Sequence, residues 1–196
     1  MDKFSKLEEF NQQIFESLIA HNNHIQLGFF NSDMVLFIGQ NPGRPFTQTQ
    51  IEDIASLKEF TTYREHETAY TEGWKRSIFG DFIGRIINYK WNQISFTNAI
   101  KIPTSENALP GLELTEDFVP ILEHQVYLLQ PKLIVCLGKF VGQLFHMEKF
   151  YEFEQGTYGG VVMFPHPSYI QRQGWTQIEE EVRKQRNLLN GYLTTH

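Results

Sequence analysis

Apolar residues recur along the chain in two alternating patterns, one typical of helices and one typical of buried strands. Residues 4–20 carry apolar side chains at spacings of three and four, which predicts an amphipathic helix. Runs that are apolar on both faces follow at about 34–38, 93–99, 132–138 and 161–164. Such runs are typical of central parallel strands that are covered by helices on each side.

Helical patterns separate these strands. We expect helices near 80–89, over about 115–130, at the start of 139–147 and over about 176–193. The segment 103–114 carries two prolines and one glycine, so we expect a surface loop there.

The alternation of buried strands with helices predicts the fold class. We expect one α/β domain over residues 1–196, with a central, mostly parallel, four-stranded sheet between two layers of helices, a three-layer α/β/α arrangement. The chain has 196 residues, of which 41% are hydrophobic and 17 are Phe, so it can bury such a core and is not a disordered protein. Residues 46–75 mix charged and aromatic residues, and we expect helix and loop across the mouth of the first strand.

Cysteine content and charge narrow the class further. Cys136 is the only cysteine, which excludes a disulfide framework and a CxxC metal site. The acidic start MDKFSKLEEF does not resemble a signal peptide, and no run reaches the roughly 18 apolar residues of a membrane span. We therefore expect a cytoplasmic protein with no membrane contact, and separately we expect a monomer. The net charge of −6 argues against a protein that coats nucleic acid, although a small basic cleft stays compatible with it.

Polar side chains follow three of the predicted strands. Gln40 and Asn41 come after the first, Asn98 ends the second, and His166 and Ser168 come after the last. Open α/β sheets bind ligands at the carboxyl ends of their strands, so these side chains could converge on one cleft. Each has a structural interpretation as well, since Asn-Pro-Gly often forms a turn, a strand-end amide often bonds to backbone, and a histidine between prolines is often a loop residue.

Three segments together resemble a known family. GQNPG at 39–43, SFTNAIK at 95–101 and FPHPSYIQR at 164–172 resemble the signature of the uracil-DNA glycosylase superfamily. Residues 119–145 are similar to the helix–strand–helix stretch of the bacterial and archaeal family-4 type, and the resemblance spans roughly 34–172. It implies a hydrolase of base excision repair, a monofunctional DNA N-glycosylase that removes uracil or a related deaminated or modified base from DNA. The target base would have to flip out of the stack.

The resemblance also implies roles for single residues. Asn41 matches the residue that positions water, and His166 matches the histidine that donates to the base oxygen, so these two are the candidate catalytic residues. Asn98 would read the pyrimidine edge and Gln40 would contact the base. Gly43 stands where uracil-exclusive enzymes carry a tyrosine, which predicts a broader choice of base.

Further candidates would bind the base or the DNA. Phe79 lies at the offset of the family's base-stacking phenylalanine; Phe82 is the alternate, and Phe79 could also be a core residue. The candidates for contact with DNA are Lys101, Ser168, Tyr169, Ile170 and Arg172, with Lys139 as a further cation, and any of the charged ones could instead be a solvated surface residue.

The chain departs from the family-4 pattern in two ways. Ile102 and Phe118 stand where two of the four cysteines of an iron–sulfur cluster would be, so we expect no cluster, no metal and no other cofactor. The first motif is closer to that of the mismatch-specific and single-strand-selective families. The base specificity therefore cannot be transferred from one subfamily.

Two other functions stay open at this point. The chain could be a catalytically inactive module that binds nucleic acid or senses damage, and it could be an enzyme that acts on free nucleosides. Acidic side chains around Asn41 and His166 would argue strongly against DNA as the substrate.

Overall fold

The computed structural model describes residues 2–19, 25–41, 62–65, 67, 68, 71, 78–86, 90–102, 110–173 and 179–195. The helices are α1 (Lys3–Ile19), α2 (Ile78–Ile86), α3 (Leu112–Leu129), α4 (Lys139–Leu144), α5 (Pro167–Gln173) and α6 (Glu179–Thr195). The strands are β1 (Phe29–Phe30), β2 (Val35–Gly39), β3 (Ile94–Asn98), β4 (Leu133–Leu137), β5 (Phe153–Gly156) and β6 (Gly159–Phe164). Most of the segment 46–75, with its predicted helix and loop, lies outside the described residues.

The strands form one sheet in the order β1-β3-β2-β4-β6-β5. The four central strands are parallel, and β1 and β5 pair antiparallel at the two edges. All four predicted strands are present, but the prediction of a four-stranded sheet was wrong, because this sheet has six strands. A strand of two residues such as β1 is too short to show a pattern. The strand β5 reads FEQG, so it lacks an apolar run.

Alternate residues of the central strands face opposite helical layers. Val35 and Phe37 of β2 belong to a core with α2, α5 and α6, through side chains such as Phe82, Ile170 and Leu189. The neighbouring residues Leu36 and Ile38 belong to a second core with α1, α3 and α4, through side chains such as Leu7, Leu122 and Val141. Each central strand is therefore buried on both faces, and the predicted three-layer α/β/α arrangement is confirmed.

The long helix α3 begins earlier than the sequence pattern predicts. It starts at Leu112, so residues 112–114 of the predicted loop are helical. Leu112 is 75% exposed, so it does not lie on the buried face of the helix. The apolar periodicity of that face therefore does not mark Leu112 as the start of the helix. The other end agrees with the prediction, because Gln130 adopts a left-handed conformation (φ 48°) and Pro131 follows it. No helix in the described ranges has the length and apolar character to cross a membrane.

A buried polar cluster joins β3 to the helical layer behind it. The Lys101 amine is fully buried and donates to the Thr97 hydroxyl (2.7 Å), the Asn98 carbonyl (2.5 Å) and Gln125 Oε1 (2.6 Å). Gln125 in turn donates to Asn11 Oδ1 of α1 at 2.7 Å. Burial lowers the pKa of the Lys101 amine well below its ordinary value. The cluster therefore fixes the segment that leaves β3 against α3 and α1.

Replacing Lys101 should destabilise the fold. Lys101→Met keeps most of the buried volume but leaves the three oxygen acceptors without their donor, which should lower the free energy of unfolding by about 3 kcal/mol. Denaturant titration followed by circular dichroism measures this loss. The exposed Lys184→Met serves as the control and should leave the midpoint almost unchanged, since its contacts to Glu180 and Glu181 are solvated ion pairs. Equal midpoints for both variants would contradict the role assigned to Lys101.

Candidate functional site

A cleft of about 570 Å³ lies at the carboxyl ends of β2, β4 and β6. Its volume is in the range that is typical of small-molecule and nucleotide sites. Seven of the residues predicted from the sequence line it, namely Gln40, Asn41, Lys139, His166, Ser168, Tyr169 and Arg172. Gln40 and Asn41 lie more than 120 positions before His166 and Ser168 in the sequence. The convergence predicted for the polar side chains at the strand ends is therefore present for these four.

The ends of β2 and β3 stay paired beyond the strands themselves. The backbone N–H of Ala99 donates to the Gly39 carbonyl, and that of Ile100 donates to the Gln40 carbonyl, both at 2.8 Å. These bonds hold the first turn after β2 beside the chain that leaves β3. The side chains of Gln40 and Asn41 are partly exposed and face the cleft from this fixed backbone.

Ser168, in the first turn of α5, holds the ring of His166. The Ser168 backbone N–H donates to His166 Nδ1 at 3.3 Å, and the Ser168 hydroxyl lies 2.7 Å from the same nitrogen. A backbone N–H can only donate, so Nδ1 acts as the acceptor and the neutral ring carries its proton on Nε2. Burial, and then the nearby Arg172 guanidinium, lower the pKa of His166 below its ordinary value. At neutral pH the ring is therefore an uncharged donor through Nε2.

Asn98 is buried beside the cleft and is not among the described residues that line it. Asn98 ends β3 and pairs in register with Gly39. Its Oδ1 lies only 2.5 Å from the position that a Cβ on Gly39 would occupy, so the missing side chain of Gly39 makes room for the amide. The Asn98 Nδ2 is buried and has no hydrogen-bond partner within the described part of the chain. A buried donor without a partner is costly, and a ligand oxygen could satisfy it.

Two of the residues predicted to contact DNA are buried instead. Lys101 donates all its hydrogen bonds inside the protein, as described above, which is incompatible with a direct contact to phosphate. Ile170 is fully buried in the core that contains Phe82, so the prediction that its side chain contacts DNA was wrong. Its neighbour Tyr169 is 49% exposed and lines the cleft, because successive residues of α5 face in different directions.

The two candidates for base stacking have different outcomes. Phe79 belongs to α2, but its side chain lies outside the described part of the structure, as does the whole of Gly43. Phe82, the alternate, is fully buried and packs edge-on against Phe164, with ring centroids 5.9 Å apart. Phe82 is therefore a core residue, and the stacking role of Phe79 stays a prediction.

Several residues of the cleft have no counterpart among the predicted site residues. They are Leu137, Gly138, Phe140, Phe150, Tyr151 and Pro165. Leu137 ends β4, and Gly138 and Phe140 come just after it on either side of Lys139. The strand-end rule that selected Gln40 and Asn41 could have found them, but only Lys139 was noted there. Phe150 and Tyr151 precede the unpredicted edge strand β5, and no pattern in the sequence marks them.

The cleft differs in charge from the rest of the protein. Lys139 and Arg172 line it and are exposed, whereas no Asp or Glu occurs among the described residues that line it. The chain as a whole carries a net charge of −6. The described wall of the cleft is thus suited to an anionic ligand despite the acidic body of the protein.

The described residues contain no cluster suited to a metal. No group of three or more His, Cys, Asp or Glu side chains among them is arranged to hold a metal ion. The single cysteine, Cys136, is fully buried in β4, and Phe118, at one of the cluster positions of family 4, is buried in α3. One cysteine cannot hold an iron–sulfur cluster, so the residues of this chain do not fit that group.

Comparison with known protein families identifies the family of this chain. The model of the family described as "Uracil DNA glycosylase superfamily" matches residues 27–189. The matched region contains all six described strands and all the described residues that line the cleft. No curated protein matches the chain.

The environment of His166 predicts the direction in which its pKa is shifted. In an NMR titration we expect His166 to take up its proton below the ordinary histidine pKa of about 6.5, because burial and Arg172 disfavour the charged ring. Arg172→Met removes one of these causes and should raise this pKa. Arg183→Met, a change at an exposed arginine of α6, should leave it unaltered. A lower or identical pKa in Arg172→Met would show that Arg172 does not act on the ring.

Proposed function

Because the chain belongs to the uracil DNA glycosylase superfamily, we propose that it is a monofunctional DNA glycosylase that hydrolyses the N-glycosidic bond of uracil, or of a related deaminated or modified base, in DNA. The observation that carries this proposal is the cleft in which Asn41 and His166 lie together with two cations and, among its described lining, without a carboxylate.

The reaction separates charge. The bond between the base nitrogen and C1′ breaks with its electron pair on the base, so the base becomes anionic while the sugar becomes cationic. A water oxygen then bonds to C1′ and its proton passes to solvent, while the base anion takes up a proton from solvent, which leaves the free base and an abasic sugar. A site for this reaction must stabilise the negative charge on the departing base and place water on the other side of the sugar.

His166 and Asn41 supply these two effects in our proposal. The proton on Nε2 of the neutral His166 ring donates to the base oxygen on which negative charge collects, and Ser168 holds the ring in that tautomer. The amide of Asn41 orients the water. An amide cannot accept a proton as a carboxylate does, so the chemistry should be slower than in an enzyme with an aspartate at this position.

Asn98 would read the base. Its Nδ2, which lacks a partner in the described structure, would donate to a pyrimidine carbonyl, while Oδ1 would accept from the adjacent N–H of uracil. Cytosine presents the opposite polarity at this edge and would leave both groups unsatisfied, which is a strong basis for discrimination. The contacts that Gln40, Gly43 and Phe79 would make with the base stay predictions.

Two cationic side chains of the cleft and residues in the first turn of α5 would bind the flanking DNA. Lys139 and Arg172 would contact phosphates, Ser168 would add a polar contact, and Tyr169 would enter the space left by the flipped base. Flipping costs a few kcal/mol, and least where the base is mispaired or unpaired. A role in base excision repair follows from such a reaction, while the cytoplasmic location and the monomeric state stay predictions.

Excision by matched variants tests the proposed function. The protein is incubated with labelled oligonucleotides that carry uracil, hypoxanthine or a T:G mismatch, single- and double-stranded, and alkali-sensitive breaks are scored. We expect breaks with at least one base, and a loss of about 100-fold or more in Asn41→Ala and in His166→Ala, because each removes a group that acts in the transition state.

Asn92→Ala and His124→Ala are the controls, since both residues are exposed and do not line the cleft. Both should retain full activity. Folded protein that breaks none of the substrates would refute the proposal. Retention on DNA would then indicate a binding module, and cleavage of free nucleosides would indicate the third function considered.

The glycine beside Asn98 gives a second test. Gly39→Ala places a Cβ against Asn98 Oδ1, so the amide must move, and we expect excision to fall at least 10-fold while the fold is retained. Gly84→Ala is the matched control, because a Cβ there meets nothing within 4 Å and the position is helical. Unchanged excision by Gly39→Ala would exclude Asn98 as the residue that reads the base.

A further inference from the structure

Two of the exposed aromatic side chains lie in the same cleft. Phe150 is 39% exposed and Tyr169 is 49% exposed, and both line the site that contains Asn41 and His166. The other large apolar side chains that are exposed in the described structure, Leu112, Tyr127, Tyr158 and Leu188, do not line it. Phe150 precedes β5 and Tyr169 belongs to α5, so the two rings come from separate parts of the fold.

Phe150 is presented by a rigid neighbour. Tyr151 adopts a left-handed conformation (φ 65°), which is uncommon for a residue other than glycine. Its N–H donates to the Met163 carbonyl at 2.8 Å, and its carbonyl accepts from Gln185 Nε2 at 2.6 Å. Its ring packs edge-on against Phe164, with centroids 5.4 Å apart. These contacts fix the backbone that carries Phe150. The left-handed conformation of Tyr151 costs free energy, and the packing of the core does not require it.

The charges beside the two rings suit a polyanion. Lys139 and Arg172 line the cleft with them. Next to Phe150, Lys149 pairs with Glu152 at 3.1 Å, which offsets that carboxylate. Aromatic rings beside cations along one groove are the combination that binds single-stranded nucleic acid, because every base has a face that can stack and every nucleotide has a phosphate.

We propose that Phe150 stacks on an unpaired base that flanks the excised nucleotide, and that the protein therefore binds single-stranded DNA in preference to duplex DNA at this face of the cleft. The inference rests on the proposed function, which makes DNA the ligand. In a duplex the flanking bases are already stacked on their neighbours, so their faces cannot reach a fixed ring on the protein. In a single strand such a base can turn towards Phe150 while Lys139 and Arg172 bind the phosphates on either side.

Binding to undamaged DNA tests this inference without any requirement for catalysis. Fluorescence anisotropy at one fixed salt concentration gives the dissociation constants for a labelled single strand and for the duplex of the same sequence. We expect Phe150→Ala to weaken binding of the single strand about 10-fold, with less than about a twofold effect on the duplex. Phe150→Trp keeps a stacking face and should retain single-strand binding.

Tyr158→Ala is the matched control. Tyr158 is also 39% exposed, but it lies in the turn between β5 and β6 and does not line the cleft. Its replacement should change neither constant. Equal losses on single strand and duplex in Phe150→Ala, or no loss on either, would overturn the inference.

Excision assays of the same variants separate this inference from the proposed function. If uracil is excised but Phe150→Ala binds the single strand as well as the unaltered protein does, the stacking role fails alone. If no base is excised but Phe150→Ala loses single-strand binding selectively, the proposed function fails and the stacking surface stands as that of a binding protein.

Discussion

The position of the whole site depends on the hydrogen bonding of β2 to its two parallel neighbours. All five residues of β2 are buried, with β3 on one side and β4 on the other. Water cannot reach these backbone groups, so only the correct ladder satisfies them. A slip by one residue would turn Phe37 and Ile38 towards the wrong helical layers and would also separate Gly39 from Asn98. The chemistry at the strand ends is thus specified by the same pairing that forms the core.

The elements that could be predicted from the sequence are those with a regular pattern of apolar residues. Continuous apolar runs marked the central strands, and the rule that ligands bind at strand ends then selected Gln40, Asn41 and His166 correctly as neighbours in space. The rule could not show which way a side chain points after its strand. Lys101 looks like a surface charge in the sequence, and its burial is explained by three oxygen acceptors, of which that of Gln125 is supplied by a tertiary contact.

The edge of the sheet and the far wall of the cleft could not be predicted for a related reason. An exposed edge strand such as β5 needs no apolar run, because it does not form the core, and the turn before it has no period at all. The backbone of Tyr151, which carries Phe150 with it, is placed by hydrogen bonds to Met163 of β6 and Gln185 of α6. These bonds join distant parts of the chain. Net charge was equally uninformative about the site, because acidic residues concentrate elsewhere, as in the first turn of α6.

The reactivity of Cys136 can report how often the sheet opens. It is the single cysteine of the chain, lies in β4 with no exposed surface, and has a thiol whose pKa is raised by burial. The thiolate is the reactive form, so an alkylating reagent cannot modify it while the sheet is closed. The rate of alkylation is therefore set by how often the sheet opens, and it measures the stability of the very pairing that assembles the cleft.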